Sequence, residues 1–224
     1  MAEQQRDKTL PNCARCTFSR NERACTVEKG KGPPDCPTLR HAKLARELYE
    51  TMPEEEMRFA CMAAAQEQAG YPDRKAAAVK PRIVEIVEFA KRMDYKRLGL
   101  IFCGGSHKEA GIVQNILETN GFEVASVMCK AGRLPKSDFY PGDSNPPSGI
   151  ACNPKFQAQI TNMADVDFAI LVNLCVGHDS LAMKYVSAPV TVLSAKDRVT
   201  GHNPLAAIYL YDTYYKFLKN DLPI

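Results

Sequence analysis

Four short apolar runs, 98–102, 123–128, 168–174 and 190–193, alternate with helix-patterned stretches through the second half of the chain. Parallel strands cannot be joined by a tight turn. Each pair needs a crossover, and a helix is the usual one, so this alternation predicts a parallel sheet with helices on its faces. Helices are expected from near His107 and, at the end, from Pro204 to about Leu218. The fold expected is α/β, a Rossmann-like three-layer arrangement with a mostly parallel sheet of about four strands. With 224 residues, 45% of them hydrophobic, the chain is long enough to bury a sizeable core.

The first half reads differently. Cys13-Ala-Arg-Cys16, Cys25 and Cys36-Pro37 lie in a stretch with Gly30, Gly32, Pro33 and Pro34 and almost no apolar content. Such a segment cannot fold on a core, and four thiols are a suitable cross-linking set for a metal or cluster. Residues 1–37 are therefore read as a cysteine-rich metal-binding knuckle, and 38–224 as a helical lead-in plus the α/β domain. In the lead-in, Leu39, Leu44, Leu48 and Met52 recur near helical spacing, and Pro53, Pro72 and Pro81 divide the stretch into three pieces. Cys61, on the middle piece, is expected to be a core residue.

The spacing C-x2-C-x8-C-x10-C matches neither a standard zinc ribbon nor a standard ferredoxin run, although a terminal Cys-Pro also closes bacterial cluster motifs. Zinc and a [4Fe-4S] cluster both remain open for Cys13, Cys16, Cys25 and Cys36.

In open parallel sheets, ligands bind outside the carboxyl ends of the strands. Cys103 follows the first apolar run, Cys129 the second and Cys175 the third. Ser106 and Glu109 form a capping-box pattern, and Asp179 or Ser180 is placed to cap the helix after Cys175. Cys152-Asn153-Pro154 and His202-Asn203-Pro204 share an Asn at the expected N-cap and a Pro at the first helical position. The topology thus predicts one rim carrying Cys103, Cys129, Cys152, Cys175, His178 and His202. The rim cysteines are read as ligands of a second metal or cluster, with His178 and His202 as acid or base and Asp179 orienting one of them. Helix amino ends, Lys130, Lys196 and Arg198 would make the rim attractive to anions. The long loop 130–151, with Pro135, Gly142, Pro146 and Pro147, is expected to act as a lid.

Several classes are disfavoured. Cys103-Gly104-Gly105 is not a dinucleotide fingerprint, and Ser106 lacks the Gly-x-Ser-x-Gly frame of a nucleophile elbow. A net charge of +3 with dispersed basic residues gives no nucleic-acid footprint, and no apolar run is long enough to span a bilayer. Nine cysteines without an export signal fit a reducing, cytoplasmic setting in which thiols serve metal or redox chemistry.

The motifs Cys13-x-x-Cys16, Cys36-Pro37-Thr38, Cys129-Lys130, Cys152-Asn-Pro, Cys175-Val-Gly-His178-Asp179-Ser180, Lys196-Asp-Arg198 and Gly201-His202-Asn-Pro204 resemble a domain-of-unknown-function family of anaerobic bacteria and archaea. That family is labelled as cysteine-rich and metal-binding, so the resemblance implies a metal and no reaction. The function expected is that of a metal-binding protein, an iron-sulfur redox or Lewis-acid enzyme acting on a small molecule or serving a redox partner protein, with one or two [4Fe-4S] clusters. Zinc with a Cys/His rim site, and a non-catalytic metal carrier or sensor, are the alternatives.

Overall fold

A computed structural model describes residues 10–71, 78–139, 145 and 148–222. Pro72, Gly142, Pro146 and Pro147, and with them much of the loop expected as a lid, lie outside the described residues. The chain divides between Cys61 and Met62 into two compact units.

The N-terminal unit contains a short 3-10 turn at Cys13–Arg15 and helices α1 (Pro37–Arg40) and α2 (Ala42–Glu50). Pro37 stands at the first position of α1, where its missing N–H costs nothing. Backbone bonds from Ala24 to Lys31 (2.8 Å) and from Lys31 to Glu22 (2.6 Å) close a loop on itself. Gly30 stands where a Cβ would meet the Arg23 backbone at 2.5 Å, so only glycine admits that approach. None of the described residues 10–61 is buried. Leu39, Leu44 and Leu48 are all exposed, and so is Cys61, contrary to the expectation that Cys61 belongs to a core. Helix α3 (Glu54–Ala69) runs across the division, with three glutamates in its first turn and a run of three alanines further on but without a continuous apolar stripe to bury.

The second unit is built on four parallel strands, β1 (Arg97–Phe102), β2 (Glu123–Met128), β3 (Phe168–Leu174) and β4 (Val190–Ala195), in the order β2-β1-β3-β4. The two inner strands are buried on both faces, which is why they read as continuous apolar runs rather than alternating ones. Helices α4 (Arg82–Arg92), α5 (His107–Thr119), α6 (Pro154–Met163) and α7 (His178–Tyr185) flank the sheet. Helix α5 packs on β1 and β2, and α6 and α7 pack together. The right-handed crossover rule, applied to this strand order, sets α5 on one face and α6 and α7 on the other. The sheet's N-terminal edge is pinned by Asp167 Oδ2, which accepts from the backbone N–H groups of Lys96 (2.6 Å) and Arg97 (2.8 Å). At the outer strand β4, Arg82 of α4 donates to Val192 O (2.6 Å) and Thr191 Oγ1 (3.0 Å).

The α/β expectation holds, and the strands fall where the apolar runs placed them. The last helix does not. Helix α8 covers only Leu205–Tyr209, followed by turns and a 3-10 turn at Lys216–Lys219. Tyr209, Tyr211, Asp212, Thr213 and Tyr214 are weak helix formers, and no buried face compensates for them. Among the described residues no helix is long and apolar enough to cross a membrane.

Candidate functional site

The strand order fixes where the second unit can bind a ligand. From β1 the chain crosses to β2 on one side, and from β3 it crosses to β4 on the other. The loops leaving β1 and β3 therefore part company, opening a crevice between neighbouring strand ends. Cys103 follows β1 and Cys175 follows β3, so both stand at the mouth of this crevice.

Two groups of side chains lie there. In the first, Cys129 is 2% exposed and its sulfur accepts the Gly104 N–H at 3.2 Å. The Cys152 thiol stands 3.5 Å from it. Cys103 and Cys152 pack against the same apolar cluster that contains Cys129, together with Ile101, Leu171 and Leu174. Burial pushes the Cys129 thiol up to about 11, and the neighbouring Cys152 and Cys103 sulfurs add to the rise against the lowering effect of the Gly104 amide. Asn153 positions this group twice. Its backbone N–H donates to Cys129 O (2.7 Å), and its side chain accepts from Phe156 N (3.0 Å), capping α6 as the sequence anticipated.

In the second group, Ser106 does not cap α5. It is 1% exposed, and its hydroxyl accepts from Asn173 Nδ2 (2.9 Å) and from Lys196 Nζ (3.5 Å). Burial beneath the crevice takes the hydroxyl away from the helix backbone and makes it a bracket between β3 and the lysine after β4. Asn173 adopts a left-handed φ of 53° within a β3–β4 register irregularity, a conformation asparagine tolerates better than most residues. Its Oδ1 is buried without a hydrogen-bond partner. No periodicity announces this arrangement, because Asn173 sits inside an apolar run.

Cys175 makes a different contact from the other rim thiols, accepting from Arg198 Nη2 at 3.3 Å. His178 opens α7, with its N–H on Cys175 O (2.9 Å). Asp179 does not cap that helix. Gly177, at φ 84°, occupies the cap, and Asp179 Oδ1 accepts from Ser180 N (2.7 Å). Asn203 likewise donates no side-chain cap to α8, whose N-cap is Pro204.

His202 is held by a reciprocal turn. Its Nδ1 accepts from Asp197 N (3.1 Å) while its own N–H donates to Asp197 O (2.8 Å). With Nδ1 accepting, the neutral ring carries its proton on Nε2. The Asp197 carboxyl is held below its ordinary range by hydrogen bonds from Thr200 and Val199 and by the nearby His202.

In the N-terminal unit, Cys13, Cys16, Cys25 and Cys36 all line one pocket of about 130 Å³, with Arg23, Lys31, Gly32 and Asp35 among its other walls. Gly32 allows Cys36 to come close, since a Cβ there would stand 2.7 Å from the Cys36 sulfur. Among the described residues, no three or more His, Cys, Asp or Glu are already drawn together as a metal site.

The family model described as "Protein of unknown function (DUF1847)" matches residues 36–193, from the last knuckle cysteine into β4. The chain belongs to the DUF1847 family. A relative, described as an uncharacterized protein of Methanocaldococcus jannaschii, is 38% identical over 198 residues, covering 88% of this chain and 93% of its own. No solved structure matches the chain. The DUF1847 match spans all four rim cysteines and begins after Cys13, Cys16 and Cys25.

Proposed function

We propose that this DUF1847 protein is an iron-sulfur redox protein, with a [4Fe-4S] cluster held by Cys13, Cys16, Cys25 and Cys36 and a small-molecule site at the β1–β3 crevice. The observation that carries the reading is a unit with no buried residue among 10–61 whose four cysteines converge on its pocket. Without a core, cross-linking by a bound group is the remaining source of order, as in small metal-nucleated domains. The closing Cys36-Pro37 pair, as in bacterial cluster motifs, favours a cluster over zinc, and a cluster when bound supplies one-electron transfer.

At the crevice the chain's own residues suit a small anionic molecule. Lys196, steadied on the buried Ser106 hydroxyl, offers a fixed positive charge, and the amino end of α5 adds partial positive charge beside it. His202 offers Nε2 as the atom that gives or takes a proton, because its Nδ1 is engaged by the turn. The Cys129 sulfur already faces the Cys152 thiol at 3.5 Å and the Gly104 N–H at 3.2 Å, and the Cys175 sulfur accepts from Arg198 at 3.3 Å. The reading therefore places metal on the N-terminal quartet and leaves the rim thiols for other chemistry.

Anaerobic purification followed by iron, sulfide and zinc analysis and EPR tests this. The expected result is about four iron and four sulfide per chain, lost in Cys13→Ala and retained in Cys175→Ala. A colourless protein carrying only zinc, or iron that survives Cys13→Ala, overturns it.

A further inference from the structure

We infer that Cys129 and Cys152 form an exchange-active dithiol, with Cys152 attacking a disulfide-bearing substrate and Cys129 resolving the mixed disulfide. The inference rests on reading the crevice as the reacting end of the α/β unit, and does not depend on the cluster.

The geometry is already close. The two sulfurs are 3.5 Å apart, against about 2.05 Å in a disulfide, so small side-chain rotations join them. The two segments are tied side by side, because Asn153 N, one residue beyond Cys152, is fixed on Cys129 O at 2.7 Å. Further bonds hold the segments from which both cysteines project. Ala151 N donates to Leu134 O (2.8 Å) and Lys136 N to Gly149 O (2.9 Å). Both cysteines are free.

The pair is also asymmetric in the way exchange requires. Cys152 is partly exposed and lies just before the N-cap of α6, where the helix end carries partial positive charge. Cys129 is buried, so an incoming disulfide meets Cys152 and cannot reach Cys129 directly. The Gly104 N–H on the Cys129 sulfur can stabilise negative charge there as that thiol loses its proton. Lys196 and the α5 amino end favour a substrate that carries an anionic group beside its disulfide.

The step balances without a further reagent. Cys152 Sγ attacks one sulfur of the substrate, the substrate S–S bond breaks, and the first thiol leaves with a proton. Cys129 Sγ then attacks Cys152 Sγ, the mixed S–S bond breaks, and the second thiol leaves with the Cys129 proton. Two protein thiols are oxidised to one disulfide, and one substrate disulfide is reduced to two thiols.

The test uses full-length reduced protein and oxidised glutathione, an anionic disulfide, followed by intact-mass and peptide mapping under anaerobic conditions. The expected product is about 2 Da lighter, two hydrogens, with a cross-link between Cys129 and Cys152. Cys129→Ser should accumulate a glutathione adduct on Cys152, and Cys152→Ser should form neither adduct nor cross-link at this site. Circular dichroism of both variants reports whether they fold. If either does not, acid-quench trapping of the Cys152 adduct in the unmodified chain takes its place. A cross-link that maps elsewhere overturns the inference, as does a Cys129→Ser chain in which Cys152 is modified no faster than the exposed Cys61. Iron content is measured alongside. Iron lost in step with the cross-link would make these thiols ligands and overturn the inference, whereas a protein without iron that still forms the cross-link would refute only the cluster.

Discussion

Gln157 offers the sharpest test of how the rim is held. It is fully buried on α6, and its Nε2 donates to both Phe102 O (3.1 Å) and Val127 O (2.7 Å), at the ends of the two strands that lead to Cys103 and Cys129. Gln157→Leu keeps nearly the same volume, so the cavity contribution is small. It removes two donated bonds worth about 0.5–1.5 kcal/mol each, or about 1–3 kcal/mol together. Part of that is returned, because Gln157 Oε1 has no hydrogen-bond partner and its burial is costly. The expected result is a lower urea midpoint at unchanged slope, with faster amide exchange at Cys129, whose N–H bonds Phe102 O (2.9 Å). Gln157→Glu separates hydrogen bonding from shape. Burial raises the folded-state pKa of that carboxyl, so its penalty grows as pH climbs above the ordinary Glu value of about 4.3. A Leu variant within about 0.5 kcal/mol of the parent, or a Glu variant with flat pH dependence, would refute the bracing role.

Gly99→Ala should destabilise the second unit by about 1–3 kcal/mol in the same denaturation assay, since the new Cβ would stand 2.7 Å from Thr161 Cγ2 and Thr161 is fixed by its bond to Gln157 O (2.9 Å). Cys129 should resist iodoacetamide at neutral pH while the chain is folded and react on unfolding, as peptide mapping would read. Its thiol is raised from 9.0 to about 11, so the stability from keeping it neutral is complete below 9.0 and is lost as pH rises through about 11. Asp197 has the opposite sign. Its lowered pKa stabilises the 197–202 turn above the ordinary carboxylate range and ceases to do so on acidification, a change that His202 ring signals in NMR should report and that Asp197→Asn should abolish.

The sheet was legible because β1 and β3 are buried on both faces and must be apolar throughout, while Cys103 and Cys175 stand where those runs stop. Asn153 was legible as a cap because local chemistry alone decides it. Ser106 was not. The same Ser-x-x-Glu pattern serves a cap or a buried bracket, and the choice is made by Asn173, 67 positions away. The approach of Cys152 to Cys129 and the clamp of Gln157 on two strand ends likewise depend on how α6 crosses the sheet, which periodicity does not encode. Asn203-Pro204 matched Asn153-Pro154 in sequence, yet Leu205, Ile208 and Tyr209 of α8 stay exposed instead of packing on the sheet, and its start is not fixed the same way.

Arg82 has a consequence beyond tying α4 to the sheet. Outer strands are templates on which another chain can add itself, and proteins discourage this by placing charge along the open border. Arg82 lies against β4 with its guanidinium occupying Val192 O and Thr191 Oγ1, so a strand arriving there meets a fixed positive group before it meets a carbonyl. The contact that holds a helix in place therefore also guards this flank against self-association.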